Sequence, residues 1–177
     1  CANALEEKIL ELGPDRVAAF VGEPVMGAGG LMTPPEGYWR AIEKICRKYD
    51  VLLWSDEVIC GFGRTGSWFG CQTYGFTPDI MTMAKGMSSG YQPMSAVALG
   101  ERLSKPIIAS DAEMAHGYTY SGHPVACAVS IRNIELMEEK KLVGARGKAA
   151  AERFQSHLKA LQEHPLVGET RGVGLLG

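Results

Sequence analysis

Two short apolar segments, each followed at once by a charged residue, constrain the fold most strongly. Residues 51–55 precede Asp56, and residues 79–84 precede Lys85. Continuous apolar segments of this length are typical of strands that are buried on both faces of a parallel sheet. The residues between them suffice for one βαβ-like crossover or for an extended loop with a short helix. We therefore predict that Asp56 and Lys85 emerge together at the carboxyl edge of the sheet, where open α/β sheets bind ligands.

The rest of the chain alternates between helical and extended patterns. Apolar residues recur at helical spacing in residues 37–49, with charged residues on the opposite face. We predict further helices at residues 4–12, with Asn3 as the cap and Gly13 as the stop, from about residue 124, and at 145–164. Further strands are predicted at residues 16–21 and 93–99. The predicted fold class is α/β, with a mainly parallel sheet flanked by helices.

Composition narrows the class of protein. A chain of 177 residues with 46% hydrophobic side chains suits roughly one globular domain, and its net charge of −2 gives no sign of nucleic-acid or membrane binding. Its five cysteines contain no CxxC pair, and its four histidines have no ligand spacing. We therefore expect a reduced, cytoplasmic setting without a structural metal.

A carboxylate and an amine that meet in a crevice are the minimum functional groups that a pyridoxal phosphate (PLP) site requires. Lysine forms the Schiff base, and a carboxylate pairs with the pyridinium nitrogen. Taken alone, a lysine that follows a strand, such as Lys85, is far more often a solvated charge. An aspartate at a strand end, such as Asp56, more often caps the next turn. If the strand continues, Glu57 points away from Asp56 and cannot duplicate its contact.

Four segments together turn this possibility into a resemblance. Their sequences are GEPVMGAGG (22–30), DEVICGFGRTG (56–66), PDIMTMAKG (78–86) and YTYSGHP (118–124). They occur in the order and spacing of the class III aminotransferases, which are fold-type I PLP-dependent enzymes. The chain is most similar to omega-transaminases that use pyruvate. The resemblance implies that residues 1–165 are part of the PLP-binding large domain and that 166–177 begin the small C-terminal domain as a strand, with both ends truncated.

The same resemblance assigns roles to residues around the cofactor. It implies that Lys85 is the Schiff-base lysine, that Asp56 contacts the ring nitrogen, and that Val58 packs against one face of the ring. Glu23, at a strand end, joins the cofactor-binding residues. Small residues beside the lysine, among them Gly86, are expected to leave space for the cofactor.

Two further residues imply a shared active site. In the resembling enzymes, the threonine that matches Thr119 donates its hydroxyl and amide to the PLP phosphate of the neighbouring subunit, and the residue matching Tyr118 contributes its backbone. We therefore expect a homodimer with shared sites. His123, beside Pro124, is expected to start a helix or to pack, not to catalyse.

The glycine-rich residues 61–66 also match GxGxxG, a dinucleotide-binding pattern that is weak alone. The acidic pair Asp56 and Glu57 would repel a pyrophosphate there, and residues 68–74 are a poor crossover helix. We expect these glycines to let a loop follow a subunit interface. Arg64 would then be an interface or substrate-cleft charge.

Two departures within the family indicate the substrate. Ornithine-type members carry glutamate where this chain has Ala28 and glutamine where it has Ile59. The more apolar pocket favours an amine donor with pyruvate as acceptor. An aminomutase or a diamino-acid/2-oxoglutarate transaminase of the same fold, and a noncatalytic oligomerising fragment, stay open. We expect residues 1–177 alone to retain PLP weakly or not at all and to be inactive.

Overall fold

A four-stranded sheet organises the described residues, which are 1–111 and 113–177 of a computed structural model. The strands follow in sequence order across the sheet: β1 (Ala19–Gly22), β2 (Leu52–Asp56), β3 (Ile80–Met83) and β4 (Ala96–Leu99). The first three run parallel, and β4 runs antiparallel to β3. The prediction of an α/β fold with a mainly parallel sheet is therefore confirmed.

Helices occupy the connections between strands and the residues that follow the sheet. They are α1 (Ala2–Leu12), α2 (Tyr38–Lys48), α3 (Gly70–Tyr74), α4 (Glu101–Ala109), α5 (Pro124–Glu139) and α6 (Ala145–Ala160). Short 3-10 turns cover Pro14–Arg16, Lys85–Met87 and Leu161–Glu163. The patterns predicted α1, α2, α5 and α6. Helix α3 is the short helix of one of the two predicted connections between Asp56 and Lys85, and α4 was not predicted. In the part of the chain that the structure describes, no helix is long and apolar enough to span a lipid bilayer.

The amino-terminal boundaries differ from the predicted ones. Helix α1 begins at Ala2, with Cys1 at the cap position, so Asn3 lies inside the first turn and is not the cap. Gly13 ends the helix at φ +88°, as predicted. The strand predicted from residue 16 begins only at Ala19, because Pro14 fixes a φ that favours a turn.

The main core lies between α1, α2 and one face of the sheet. Ile9, Ile42 and Leu53 are fully buried there. Trp39 of α2 stacks on Phe76 with ring centroids 4.5 Å apart, and its indole N–H donates to the Pro24 carbonyl at 3.0 Å. The apolar face of α2 thus packs on the amino-terminal half of the sheet, and its opposite, charged face lies toward solvent.

A buried carboxylate ties α2 to the end of β3 that lies away from Lys85. Asp79 is 5% exposed, and the Arg47 guanidinium donates to its Oδ1 and Oδ2 at 2.7 and 2.6 Å. The backbone N–H of Leu53 also donates to Oδ2, at 2.8 Å. The charge of Asp79 is therefore paired and hydrogen-bonded, as a buried charge requires.

We expect Arg47→Met to lower the free energy of unfolding by about 3 kcal/mol, because it leaves Asp79 buried without its main partner. Arg102, whose Nη1 lies 3.6 Å from Oδ2, retains part of the attraction. Urea denaturation measures the change. The control is Lys8→Met, which removes an exposed pair with Glu11 and should cost less than about 0.5 kcal/mol. Equal losses in both variants would contradict the prediction.

The strand predicted for residues 166–177 is wrong. Residues 167–172 have no regular structure, and residues 173–176 form a tight turn closed by a bridge between Val173 and Leu176. The Leu175 N–H donates to the Arg64 carbonyl at 2.7 Å, and Gln155 of α6 donates to the Leu176 carbonyl at 2.8 Å. Backbone groups of this turn are therefore bonded to a loop and to a helix side chain.

Candidate active site

The two charged residues that follow the apolar strands lie at the same edge of the sheet. Asp56 is the last residue of β2 and pairs in register with Thr82 of the parallel strand β3. Lys85 lies three residues after Thr82, just beyond the carboxyl end of β3. This is the arrangement that the sequence predicted. The connection between the strands is an extended loop with the short helix α3, the second of the two alternatives.

Lys85 has an unusual backbone conformation. It is exposed and has φ +42°, in the left-handed region that side chains other than glycine rarely adopt. It opens a 3-10 turn in which the Met87 N–H donates to the Ala84 carbonyl at 3.0 Å. Such strain is of order 1–3 kcal/mol per residue and is found mainly where function requires it. The turn redirects the chain just beyond β3, and the Lys85 side chain is exposed there.

The Asp56 carboxylate is held in place by the loop that follows it. Its side chain is half-buried, and Oδ1 accepts a hydrogen bond from the Val58 N–H at 3.0 Å. The turn-capping role typical of a strand-end aspartate is therefore real here. A carboxylate has about four lone-pair sites, so Oδ2 retains the capacity to pair with a cationic ring nitrogen. One oxygen orients the group, and the other can serve a ligand.

Glu57 has a separate role that the sequence did not reveal. It is 0% exposed; Oε2 accepts from the Gly70 N–H and Oε1 from the Cys71 N–H, both at 2.7 Å. The Ser55 hydroxyl adds a third bond at 3.2 Å. Glu57 thus caps helix α3 from a distance and points away from Asp56, as predicted. The sequence contained one signal of this role: Phe69, and not a Ser, Thr, Asp or Asn, stands at the cap position before α3, so the helix needs a cap from elsewhere.

The buried cap gives a prediction for stability and its pH dependence. Burial raises the pKa of Glu57, although the N–H groups of Cys71 and Gly70 lower it in part. Because the native pKa exceeds the unfolded one, its contribution to stability is full below the unfolded value and is lost as pH rises through the native value. We expect Glu57→Gln to lower the free energy of unfolding by about 1–2 kcal/mol at neutral pH, since one amide oxygen cannot serve both N–H donors as two carboxylate oxygens do.

Urea denaturation at several pH values measures this effect. The difference between wild type and Glu57→Gln should widen as pH falls toward 4.5, the ordinary value of the group. Glu36→Gln, at an exposed loop position, is the matched control and should change little. A difference that stays constant with pH would show that Glu57 does not titrate with folding.

The same contacts exclude the dinucleotide interpretation of residues 61–66. A dinucleotide pyrophosphate binds the free N–H groups at the start of the following helix. Here the next helix is α3, which has only five residues, and its first N–H groups already donate to Glu57. The rejection of that pattern therefore rests on the structure as well as on charge.

Glu23 and Ile59 shape the wall beside this edge. Glu23 closes its own loop, because Oε2 accepts from the Gly27 N–H at 3.0 Å. A Cβ atom at Gly27 would lie 2.5 Å from Cδ1 of Ile59, so the Ile59 side chain rests directly on the glycine backbone. Ala28 is the next residue and is exposed. The two positions that distinguish this chain from ornithine-type enzymes are therefore neighbours in space.

The expectation that Gly86 leaves space for a cofactor is wrong in its detail. A Cβ atom at Gly86 would lie 2.9 Å from Cβ of Phe62, so this space is taken by the glycine-rich loop. Phe62 itself has φ +58° and contacts Phe69 edge-on, with ring centroids 5.6 Å apart. The small residue after Lys85 thus allows two loops to pack closely.

Tyr118 and Thr119 lie in an exposed turn before α5. Tyr118 is 77% exposed. Its backbone N–H donates to the Ser121 hydroxyl at 3.0 Å. Thr119 is also exposed. His123 caps α5, since its Nδ1 accepts from the Ala126 N–H at 3.4 Å, which confirms its helix-start role. No hydrogen bond joins these residues to Asp56 or Lys85 within residues 1–111 and 113–177.

The residues at the sheet edge fit a pyridoxal-type cofactor. An exposed primary amine and a fixed, half-buried carboxylate follow adjacent parallel strands. The first can bond an aldehyde, and the second can hold a protonated ring nitrogen. Fold and site together define an α/β enzyme scaffold of the aminotransferase type.

Comparison with known proteins identifies the family. The profile of the family "Aminotransferase class-III" matches residues 1–177. Similar proteins are the putrescine–pyruvate aminotransferase of Pseudomonas aeruginosa, 50% identical over 175 residues, and the diaminobutyrate–2-oxoglutarate transaminase of Halomonas elongata, 48% identical over 179 residues. Each alignment covers 99% of this chain and 38% of the relative. The chain belongs to the class III aminotransferases, a PLP-dependent family.

Solved structures agree with this assignment. The (S)-enantioselective omega-transaminase of Thermomicrobium roseum superposes with a TM-score of 0.92 at 49% identity, over 98% of this chain and 39% of that one. The omega-transaminase of Pseudomonas jessenii, solved in complex with PMP, gives 0.88 at 48% identity over the same shares. The chain therefore has the fold of the matching part of these transaminases and spans about two fifths of the length of its relatives.

Proposed function

We propose that these residues form the catalytic core of a PLP-dependent transaminase that moves an amino group from an amine donor to a keto acid. The observation that carries the proposal is the placement of Asp56 and Lys85 at the carboxyl ends of adjacent parallel strands. Family membership supports the reaction class. The exchange would be ping-pong, because the donor leaves as a ketone or aldehyde before the acceptor binds.

Each residue has a distinct part in this scheme. When bound, PLP supplies an electron sink for the charge left when the substrate loses its alpha proton. Lys85 would hold the cofactor covalently through Nζ until the donor amine replaces Nζ at that bond. The freed Lys85 amine would then carry the proton to and from the substrate carbon as base and acid. Asp56 would keep the ring nitrogen protonated, and Val58 would supply apolar contact. Glu23 would support the wall of the site by closing its loop.

A second copy of the chain would complete the site. Thr119 is exposed in the turn before α5, which supports a contact with the partner's cofactor phosphate. The backbone N–H of Tyr118 donates to the Ser121 hydroxyl and would exchange this partner for the phosphate. In a homodimer with shared sites, a 1:1 mixture of subunits carrying Lys85→Ala or Thr119→Ala would regain part of the activity through hybrid dimers. Neither variant alone would show that recovery.

Pyruvate is the acceptor that the site favours. Ile59 packs on Gly27 beside Ala28, so the wall offers apolar surface where ornithine-type enzymes carry polar side chains. One relative, at 50% identity, is named for putrescine and pyruvate. A second candidate is 2-oxoglutarate, because a relative at 48% identity is named for diaminobutyrate and 2-oxoglutarate.

An acceptor comparison tests this proposal. A full-length enzyme that carries residues 1–177 is given an amine panel that includes putrescine, with either pyruvate or 2-oxoglutarate. We expect kcat/KM for pyruvate to exceed that for 2-oxoglutarate by at least about tenfold, or about 1.4 kcal/mol. Ile59→Gln should reduce this ratio, whereas Ile59→Val, which keeps an apolar side chain, should not. A tenfold preference for 2-oxoglutarate in the wild type would favour the second candidate.

A further inference from the structure

One side chain of α5 joins this helix to the turn that carries Lys85. Nδ2 of Asn133 donates to the carbonyls of Gly86 and Met87, at 2.9 and 3.0 Å. Its Oδ1 accepts from the Ser89 hydroxyl at 2.8 Å. A single amide group therefore bonds three of the four residues that follow Lys85, although it lies more than forty positions further along the chain.

The orientation of the Asn133 amide is determined by its partners. Backbone carbonyls can only accept hydrogen bonds, so the nitrogen must face Gly86 and Met87. Both amide hydrogens are then in use, and the oxygen must face Ser89, whose hydroxyl can donate. The side chain is half-buried, where such bonds are stronger than in open water. A side chain without two donors cannot reproduce this arrangement.

The turn that Asn133 holds is strained on both sides. Lys85 has φ +42° and Ser89 has φ +50°, two left-handed residues that are not glycine. On the opposite side, Phe62 presses against Gly86 so closely that no Cβ would fit. Within the turn, the Met87 N–H donates to the Ala84 carbonyl at 3.0 Å. The Ser88 N–H donates to the Lys85 carbonyl at the longer distance of 3.3 Å. Strained backbone of this kind persists only where surrounding contacts over-determine it.

We propose that Asn133 is a positioning residue for Lys85. Its two donors fix the Lys85–Met87 turn against α5, and this keeps Lys85 in the left-handed conformation that presents its amine at the sheet edge. Without them, Lys85 relaxes toward an ordinary φ, and its amine leaves its position at the carboxyl end of β3. The inference rests on the proposed function only in treating the Lys85 amine as the reactive group. The clamp on the turn stands on the hydrogen bonds alone.

Asn133→Asp and Asn133→Leu test the clamp in the full-length enzyme. Both keep the approximate size of the side chain and remove both donors, and the aspartate places charge against two carbonyls. Hydrogen exchange of the Met87 and Ser88 amides, measured without PLP, should accelerate at least about tenfold. The absorbance change on adding PLP should be at least about tenfold slower. Acetic anhydride labelling of Lys85, relative to Lys8, should change by threefold or more.

Two comparisons separate positioning from general stability. Arg132→Gln removes exposed ion pairs with Glu135 and Glu139 on the same helix, and should leave exchange, labelling and PLP uptake within about twofold of wild type. Ser89→Ala removes only the hydroxyl that orients the Asn133 amide. It should shift all three measurements in the same direction by a smaller factor, and it covers the case in which Asn133→Asp does not fold.

The outcomes are decisive in each direction. Faster exchange confined to Met87 and Ser88, with altered Lys85 labelling, supports the proposal. Unchanged Lys85 labelling and PLP uptake in a folded Asn133 variant overturn it, as does exchange that accelerates equally throughout α5. If wild-type Lys85 is never modified by PLP and borohydride, the proposed function fails, while the exchange result still decides whether Asn133 holds the turn.

Discussion

Lys85→Ala, made in a full-length enzyme that carries these residues, is expected to abolish turnover and covalent cofactor binding. Within residues 1–111 and 113–177, the amine that follows β3 at this sheet edge is that of the exposed, strained Lys85. Loss of both the covalent anchor and the proton carrier should cost at least about 10⁴-fold in kcat, or roughly 5.5 kcal/mol. Borohydride reduction followed by peptide mapping measures the anchor directly.

The matched control for this variant is Lys8→Ala. Lys8 is an exposed lysine of α1 that pairs with Glu11 on the surface, so its loss should leave activity and labelling unchanged. In the wild type, the reduced label should map to Lys85. A label on another lysine, with Lys85 unmodified, would end the assignment.

The second large effect is expected for Asp56→Asn. The asparagine oxygen can still accept from the Val58 N–H, so the loop should keep its shape and the cofactor should be retained. The amide nitrogen, however, replaces Oδ2 and turns an acceptor into a donor, which cannot stabilise a protonated ring nitrogen. By analogy with other electrostatic stabilisers, we expect kcat to fall by about 10²–10³-fold, or roughly 3–4 kcal/mol.

Single-turnover absorbance measurements of each half-reaction test this expectation. Asp15→Asn, at an exposed position in the first 3-10 turn, controls for the loss of one negative charge. If half-reaction rates of Asp56→Asn stay within about threefold of wild type, roughly 0.7 kcal/mol, the role of Asp56 is wrong.

The sheet edge could be predicted because its signals are local. A buried parallel strand is apolar along its whole length, so the first charged residue after it marks where the chain leaves the core. Asp56 and Lys85 satisfy this rule, and the structure places them as predicted. Family resemblance then supplied the chemistry, which position alone does not contain.

The contacts that hold the site in place were not predictable in this way. Glu57 and Asn133 each bond backbone groups of segments that are distant in sequence, so nothing in their own neighbourhood shows what they bind. Helix α4 was missed because it contains Pro106, which normally argues against a helix. In residues 166–177, tertiary bonds to Arg64 and Gln155 decide the conformation, and local strand propensity does not.

The contact between Gly27 and Ile59 couples two positions of the wall in any change of specificity. A Cβ atom at Gly27 would lie 2.5 Å from Cδ1 of Ile59, so a side chain there requires the end of the isoleucine side chain to move. A smaller residue at 59 removes this contact. The effect of a substitution at 27 should therefore depend on the residue at 59, which is epistasis between the two positions. Directed-evolution libraries that vary both positions together can reach combinations whose single changes are less favourable.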